Sequence, residues 1–270
     1  MTEHQSVYTH GHQEAVLRSH RTRTLANSAG YLRPELAAGQ QVLDVGCGPG
    51  TITADLAELV GPTGRVVAVD TSPEVLAQAA EYVAGRGLEN VEFAVADVHA
   101  LPYPSAGFDV VHAHQVLQHV QDPVGALREM RRVVAPGGVV AVRDADYEAM
   151  TWYPQLPELT DWLDLYRRTA RANGGEPDAG RRLLAWARAA GFEEVRASSS
   201  TWTYATPGER LWWGASWAER VTASGLAATA RAQGLAGDEE LAAIADGWRR
   251  WTVEPDGWFA VLHGEVLARG

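Results

Sequence analysis

The stretch Val42-Leu43-Asp44-Val45-Gly46-Cys47-Gly48-Pro49-Gly50 decides the fold. Val42–Val45 reads as a short buried strand running into a glycine turn, and Thr51–Val60 reads as the helix that follows. Glycines at such a turn let the backbone approach a ligand, and the helix then presents its N-terminal amides to it. The spacing Asp44-x-Gly46-x-Gly48-x-Gly50 differs from the G-x-G-x-x-G of dinucleotide sites. An acid at the strand end would repel a pyrophosphate but suits a ligand with a cationic end. No Gly-Lys-Ser/Thr follows, which argues against a phosphate loop.

Outward from that turn, short apolar runs alternate with amphipathic stretches. Arg65–Asp70 reads as a second strand, and Ser72-Pro73 as the N-cap and first turn of a helix. Residues 91–97 and 108–114 read as a third and a fourth strand. Asp122-Pro123 opens a helix with Leu127, Met130 and Val134 at helical spacing, which Pro136-Gly137-Gly138 stops. Residues 139–143 read as a fifth strand. This βαβα alternation predicts a doubly wound, mostly parallel sheet, which takes its ligand beyond the strand C-termini. Two further strands are expected at 194–205 and 258–268. The whole chain, 1–270, reads as one domain: a helical N-terminal cap (1–38), a ligand-binding core (39–150), and lid helices with the final strands (151–270).

Asp70 and Asp97 fall at the ends of the second and third strands, where a nucleoside ligand would need them. The Asp70 carboxylate, followed by Thr71, can accept both ribose hydroxyls. Asp97 can accept from an adenine amine while the Val98 amide reads a ring nitrogen. A lone strand-end carboxylate often only caps a helix; an acid on each of three successive strands, beside a glycine turn, argues for a ligand.

Composition bounds the rest. At 270 residues the chain can bury a core without staples, and its single cysteine, Cys47, forms no intrachain disulfide and reads as a filler in the turn. The net charge of -11 disfavours nucleic acid, because phosphate binding relies on clustered cations. No lysine is present, which removes Schiff-base chemistry. With no apolar leader and no spanning run, the cytoplasm is the expected compartment and no membrane partner is expected. All ten tryptophans follow residue 150.

The runs at 42–50 (VLDVGCGPG), 66–70 (VVAVD), 96–102 (ADVHALP) and 108–138 together resemble the class I S-adenosylmethionine (SAM)-dependent methyltransferases, specifically the UbiE-like family. The resemblance implies a Rossmann-like, seven-stranded sheet with an antiparallel last strand and SAM as cofactor. It places the His114 carbonyl and Gln115 at the methionine end. The N-terminal runs Tyr8–His12, His20–Thr24 and Asn27–Leu32 resemble a microbial subgroup that includes small-molecule thiol methyltransferases of natural-product metabolism. That resemblance would bring Tyr8 and His12 near the methyl.

Methyl transfer from a sulfonium needs alignment and exclusion of water, and a base only as the acceptor pKa requires. The candidate bases are His114, His119 and Asp144. Asp144 and Asp146 share a strand face, but no third oxygen ligand is evident and no metal is expected. Tyr147, Trp152, Tyr153 and Trp213 are the expected walls of an aromatic acceptor pocket. The leading expectation is S-methylation of a small thiol. Ring C- or O-methylation of a quinol or polyketide, and a SAM-binding protein that transfers no methyl, remain open. The acceptor is expected to be a small molecule, and the sequence leaves the oligomeric state open.

Overall fold

The structure is a computed structural model that describes residues 22–270. Five strands pair in parallel: β1 (Gln41–Val45), β2 (Arg65–Asp70), β3 (Val91–Val95), β4 (Phe108–His114) and β5 (Val134–Ala145). Their order in the sheet is β3-β2-β1-β4-β5. The strand β8 (Trp258–Arg269) runs antiparallel to β5, and β7 (Val195–Tyr204) pairs antiparallel with β8. This is the mostly parallel, Rossmann-like sheet with an antiparallel last strand that the sequence predicts. An eighth strand, β6 (Thr151–Tyr153), pairs with Trp258–Ala260 of β8 and was not anticipated. Three residues are too few to show a period in sequence.

A short helix α1 (Leu25–Ser28) begins at Thr24, whose side chain accepts from the Asn27 amide. The crossovers are α2 (Thr51–Val60), α3 (Pro73–Gly85) and α4 (Pro123–Val133). The last two begin as the sequence predicts: Ser72 Oγ accepts from the Val75 amide, and an Asp122 oxygen accepts from Gly125. Strand three ends at Val95, so Asp97 stands on the loop after it. Strand five begins at Val134, earlier than expected, because Val134 pairs with Phe108 before the register shifts.

Strand alternation sorts side chains between two cores. Leu43, Val45, Val111, Ala113, Val140 and Val142 pack on one face. Val42, Val110, Val139 and Ala141 pack on the other, with Leu25 and Leu32. That parity also places Asp44, His112, His114 and Arg143 on this second face. Glu265 of β8 stands opposite Arg143 and His263 opposite Ala145, and Ser198 and Ser200 of β7 pair with these two in turn. A buried polar band therefore crosses the sheet near its carboxyl end.

A third core lies in the last part of the chain. The helices α5 (Pro157–Ala172), α6 (Leu183–Ala189), α7 (Pro207–Ala223), α8 (Gly225–Ala232) and α9 (Asp238–Thr252) occupy this region. Trp162, Trp213, Trp217, Trp248 and Trp251 from α5, α7 and α9 pack with Phe259 of β8. No described helix is long and apolar enough to cross a membrane.

Candidate active site

A cleft of about 1060 Å³ opens at the carboxyl end of the sheet. That lies at the top of the roughly 300–1,000 Å³ usual for a single small ligand, and leaves room for a cofactor and an acceptor. One wall is the glycine turn. Gly48 has φ 54°, and a Cβ built there meets nothing within 4 Å, so its backbone faces open space. Gly50 serves packing instead: it caps α2 at φ 79°, with Ala79 of α3 only 2.9–3.2 Å from a built Cβ.

Three acids hold this wall in different ways. Asp70 fixes the turn, accepting from the Gly48 amide at 3.1 Å and the Ser72 amide at 3.1 Å. Asp97 is exposed at the rim and accepts from the His99 amide (2.9 Å) and ring (2.8 Å). Burial pushes its carboxyl upward, but the His99 hydrogen bonds outweigh that and hold it below the usual range. Asp44 is buried, and its oxygens are taken by the Thr53 hydroxyl at 2.6 Å and His112 Nδ1 at 2.8 Å. This carboxylate orients His112, and both residues line the cleft. The sequence reading missed His112. Its signal was the i, i+2 pair His112 and His114 on one strand face, beside Asp44.

The inner end is imidazole- and guanidinium-rich. His114, Gln115, His119 and Arg23 line it. Gln115 sits in the left-handed region at φ 55°, accepts from Arg23 at 2.6 Å, and lies 3.0 Å from His263 Nε2. The Gln118 side-chain nitrogen Nε2 contacts His119 Nε2 at 2.9 Å. Desolvation drives the His119 imidazole down to about 3, and the Arg23 charge adds to the shift. Behind this end, Arg143 pairs with Glu265 at 3.3 Å and lies 4.9 Å from the Trp202 ring centre. Trp202 and His263 come from distant parts of the chain and carried no signal in sequence, and Arg23 lay in the quoted run His20–Thr24 with no role assigned to it.

The structure brings Asp44, Gly46, Gly48, Asp70, Thr71, Asp97, Val98, His114, Gln115 and His119 together on the cleft wall. It does not bring Asp144 there. That carboxyl is fully enclosed and accepts from the Gln118 amide at 3.0 Å. Burial lifts it to about 7 against the pull of the Gln118 and Leu117 amides, and it anchors the loop after β4. The expected aromatic walls also lie elsewhere. Tyr147 stacks on Tyr166 at 3.9 Å, Trp152 on Phe259 at 5.7 Å, and Trp213 on Tyr204 at 4.3 Å. Tyr153 is exposed, 59% accessible, and stands outside the cleft lining. Large flat side chains gain more by packing on one another than by standing against water. Tyr8 and His12 fall outside the described residues. Among the described residues, no group of three or more His, Cys, Asp or Glu is arranged to hold a metal.

The donors and acceptors of this wall fit a nucleoside with a charged amino-acid end: an open backbone turn and rim carboxylates. Comparison with known proteins agrees. Residues 36–201 match the methyltransferase-domain family. The chain is 34% identical to an uncharacterized methyltransferase of Schizosaccharomyces pombe, over 97% of this chain and 96% of that one. It is 35% identical to the Escherichia coli ubiquinone/menaquinone biosynthesis C-methyltransferase UbiE, over 58% of this chain and 68% of that protein. A SAM-dependent methyltransferase from Aquifex aeolicus shares the fold, with a TM-score of 0.52 at 23% identity, covering 69% of this chain and 90% of that one. The chain belongs to the methyltransferase-domain family, as a class I enzyme with UbiE-like relatives. It is a SAM-dependent methyltransferase.

Proposed function

We propose that this enzyme methylates a small organic acceptor at the inner end of the cleft, on a ring hydroxyl or an activated ring carbon. The supporting observation is the chemistry of that end: His114 and His119 flank it, and burial holds both imidazoles neutral well below pH 6.5. Neutral imidazoles suit acceptors that must lose a proton, which hydroxyls and enols do and thiols need less.

In this reading the Gly46–Gly48 backbone, Asp70, Thr71, Asp97 and Val98 hold the nucleoside. The His114 carbonyl and Gln115 meet the amino-acid end, and Asp44 acts through His112. SAM supplies a methyl carried on a sulfonium, which the acceptor takes by in-line displacement. The chain's own task is alignment and the exclusion of water, since the leaving thioether needs no proton.

S-methylation of a thiol is the second reading. It is favoured by the Arg23 guanidinium on the cleft wall, which would stabilise a thiolate. Calorimetry with S-adenosylhomocysteine, and turnover of SAM with a panel of quinols, phenols and dithiols, separate these readings. Asp70→Ala and Asp97→Ala should each weaken S-adenosylhomocysteine binding tenfold or more. Unchanged affinity in both variants would overturn the assignment of the nucleoside end. Turnover of dithiols alone would favour the thiol reading, and binding without transfer to any of the panel would favour a non-methylating role.

A further inference from the structure

The buried polar band contains several imidazoles, and their surroundings differ in a way that separates one from the rest. His112 gives Nδ1 to Asp44. His119 meets Gln118 through Nε2. His263 meets Gln115 through Nε2 and the Val261 carbonyl through Nδ1. His114 is 6% exposed and on the cleft wall, yet neither ring nitrogen has a hydrogen-bond partner among the described residues. A buried polar group left without a partner costs about 1–3 kcal/mol and calls for an explanation. A ligand group supplied during the reaction is such an explanation.

We propose that His114 is the general base of the transfer, taking the proton of a weakly acidic ring hydroxyl or enol held in the cleft beside Arg23. This rests on the reading of the cleft given above and goes further in assigning the proton. The Trp202 ring lies 5.7 Å from the His114 ring, centre to centre, and the Arg23 guanidinium lies 5.6 Å from the centre of the Trp202 ring. Trp202 thus backs the pair from behind the cleft wall, and an acceptor in the cleft would meet the imidazole and the guanidinium, both of which line it. The Arg23 charge favours the anion that forms as the proton leaves.

The step balances. The acceptor O–H bond breaks and its proton passes to a ring nitrogen of His114. The acceptor oxygen, or the ring carbon conjugated to it, bonds to the methyl carbon. The C–S pair returns to sulfur and leaves S-adenosylhomocysteine. One positive charge vanishes at sulfur as one appears on the imidazole, so the enclosed space never gains net charge. A ring-carbon acceptor then loses its proton to water to regain aromaticity, and the imidazolium gives up its own when the cleft opens.

Several groups face His114 and set its state. Burial lowers its basicity most. Arg23 from the N-terminal side, Arg143 of β5, His263 of β8 and His112 of its own strand lower it further. The imidazole is therefore neutral at pH 7 and stays neutral as pH falls through 6.5. Loss of the base on the acid side should begin only well below that value.

The test uses the full-length enzyme, SAM, and phenols of graded acidity, from unsubstituted phenol and 1,4-dihydroxynaphthalene to p-nitrophenol, at pH 8. His114→Asn and His114→Gln should cut kcat/KM about 100-fold for the weakly acidic phenols. For p-nitrophenol, already ionised, the loss should be within a few-fold. S-adenosylhomocysteine affinity should stay within about twofold, and the His114 ring should titrate well below 6.5 by NMR. An equal loss across the whole series would mean a structural role and overturn the proposal. So would an ordinary titration near 6.5, or phenols left untouched while dithiols react. Failure of the wild type to bind S-adenosylhomocysteine would instead strike the parent reading. If both variants misfold, the wild type still decides. A solvent isotope effect with phenol that is absent with p-nitrophenolate supports the base, and equal effects with the two refute it.

Discussion

The cofactor rim and the aromatic core are built on opposite principles. At the rim the working parts are backbone amides, a left-handed turn and short carboxylates, each at one required place. In the core the working quantity is side-chain volume. Trp162 is fully buried, 4.5 Å edge-on to Trp217 and 4.9 Å edge-on to Trp248, ring centre to centre. The Nε1 atoms of Trp152, Trp162, Trp213 and Trp248 are enclosed with no hydrogen-bond partner among the described residues. The difference teaches that a high density of tryptophan marks a packing centre here, whereas the ligand wall is made largely of small and polar residues.

The sharpest way to break that contrast is Trp162→Ala. Removing a fully buried indole should cost about 3–5 kcal/mol of stability, read from urea unfolding. S-adenosylhomocysteine affinity should hold within about twofold in the folded protein. Loss of affinity in step with stability would show the two regions to be one cooperative unit. Gly50→Ala should behave the other way. Its φ of 79° costs a side chain about 1–2 kcal/mol, and the contacts at 2.9–3.2 Å with Ala79 add an overpacking cost of about 1–3 kcal/mol. Because the same residue ends the cofactor turn and starts α2, binding should fall together with stability. An unchanged affinity would separate the turn from the ligand.

The same contrast explains what the sequence could reveal. Rossmann-like order was legible because Val42–Val45, Arg65–Asp70 and Phe108–His114 are apolar runs with glycine, proline and aspartate punctuation between them. Rim residues such as Asp70, at a strand end, and Asp97, two residues past one, were legible because local chain order positions them. Asp44 was found, but its partners Thr53 and His112 are fixed by helix and sheet register, which spacing alone does not give. Arg23, Trp202 and His263 meet only after the chain has folded across the sheet, so no local pattern announces them. Trp152 and Trp213 were misread as pocket walls because aromatic enrichment is common to cores and binding sites. Burial decides between the two, and burial is a property of the fold.

Trp202 is where the two regions touch, and its replacement should give the smallest effect. It belongs to β7, in the tryptophan-rich part of the chain, yet its indole N–H donates to the Asn27 carbonyl at 2.7 Å and its ring faces Arg23, Arg143 and His114. Trp202→Phe removes the donor and keeps an aromatic face. The Asn27 side of the bond is exposed to water, so stability should fall by only about 0.5–1 kcal/mol, the lower part of the range for a single hydrogen bond. Turnover of phenols should fall less than with Trp202→Leu, which keeps bulk but removes the π face that steadies the Arg23 and Arg143 guanidinium groups. Equal turnover in the two variants would show that this ring serves packing, as the core tryptophans do.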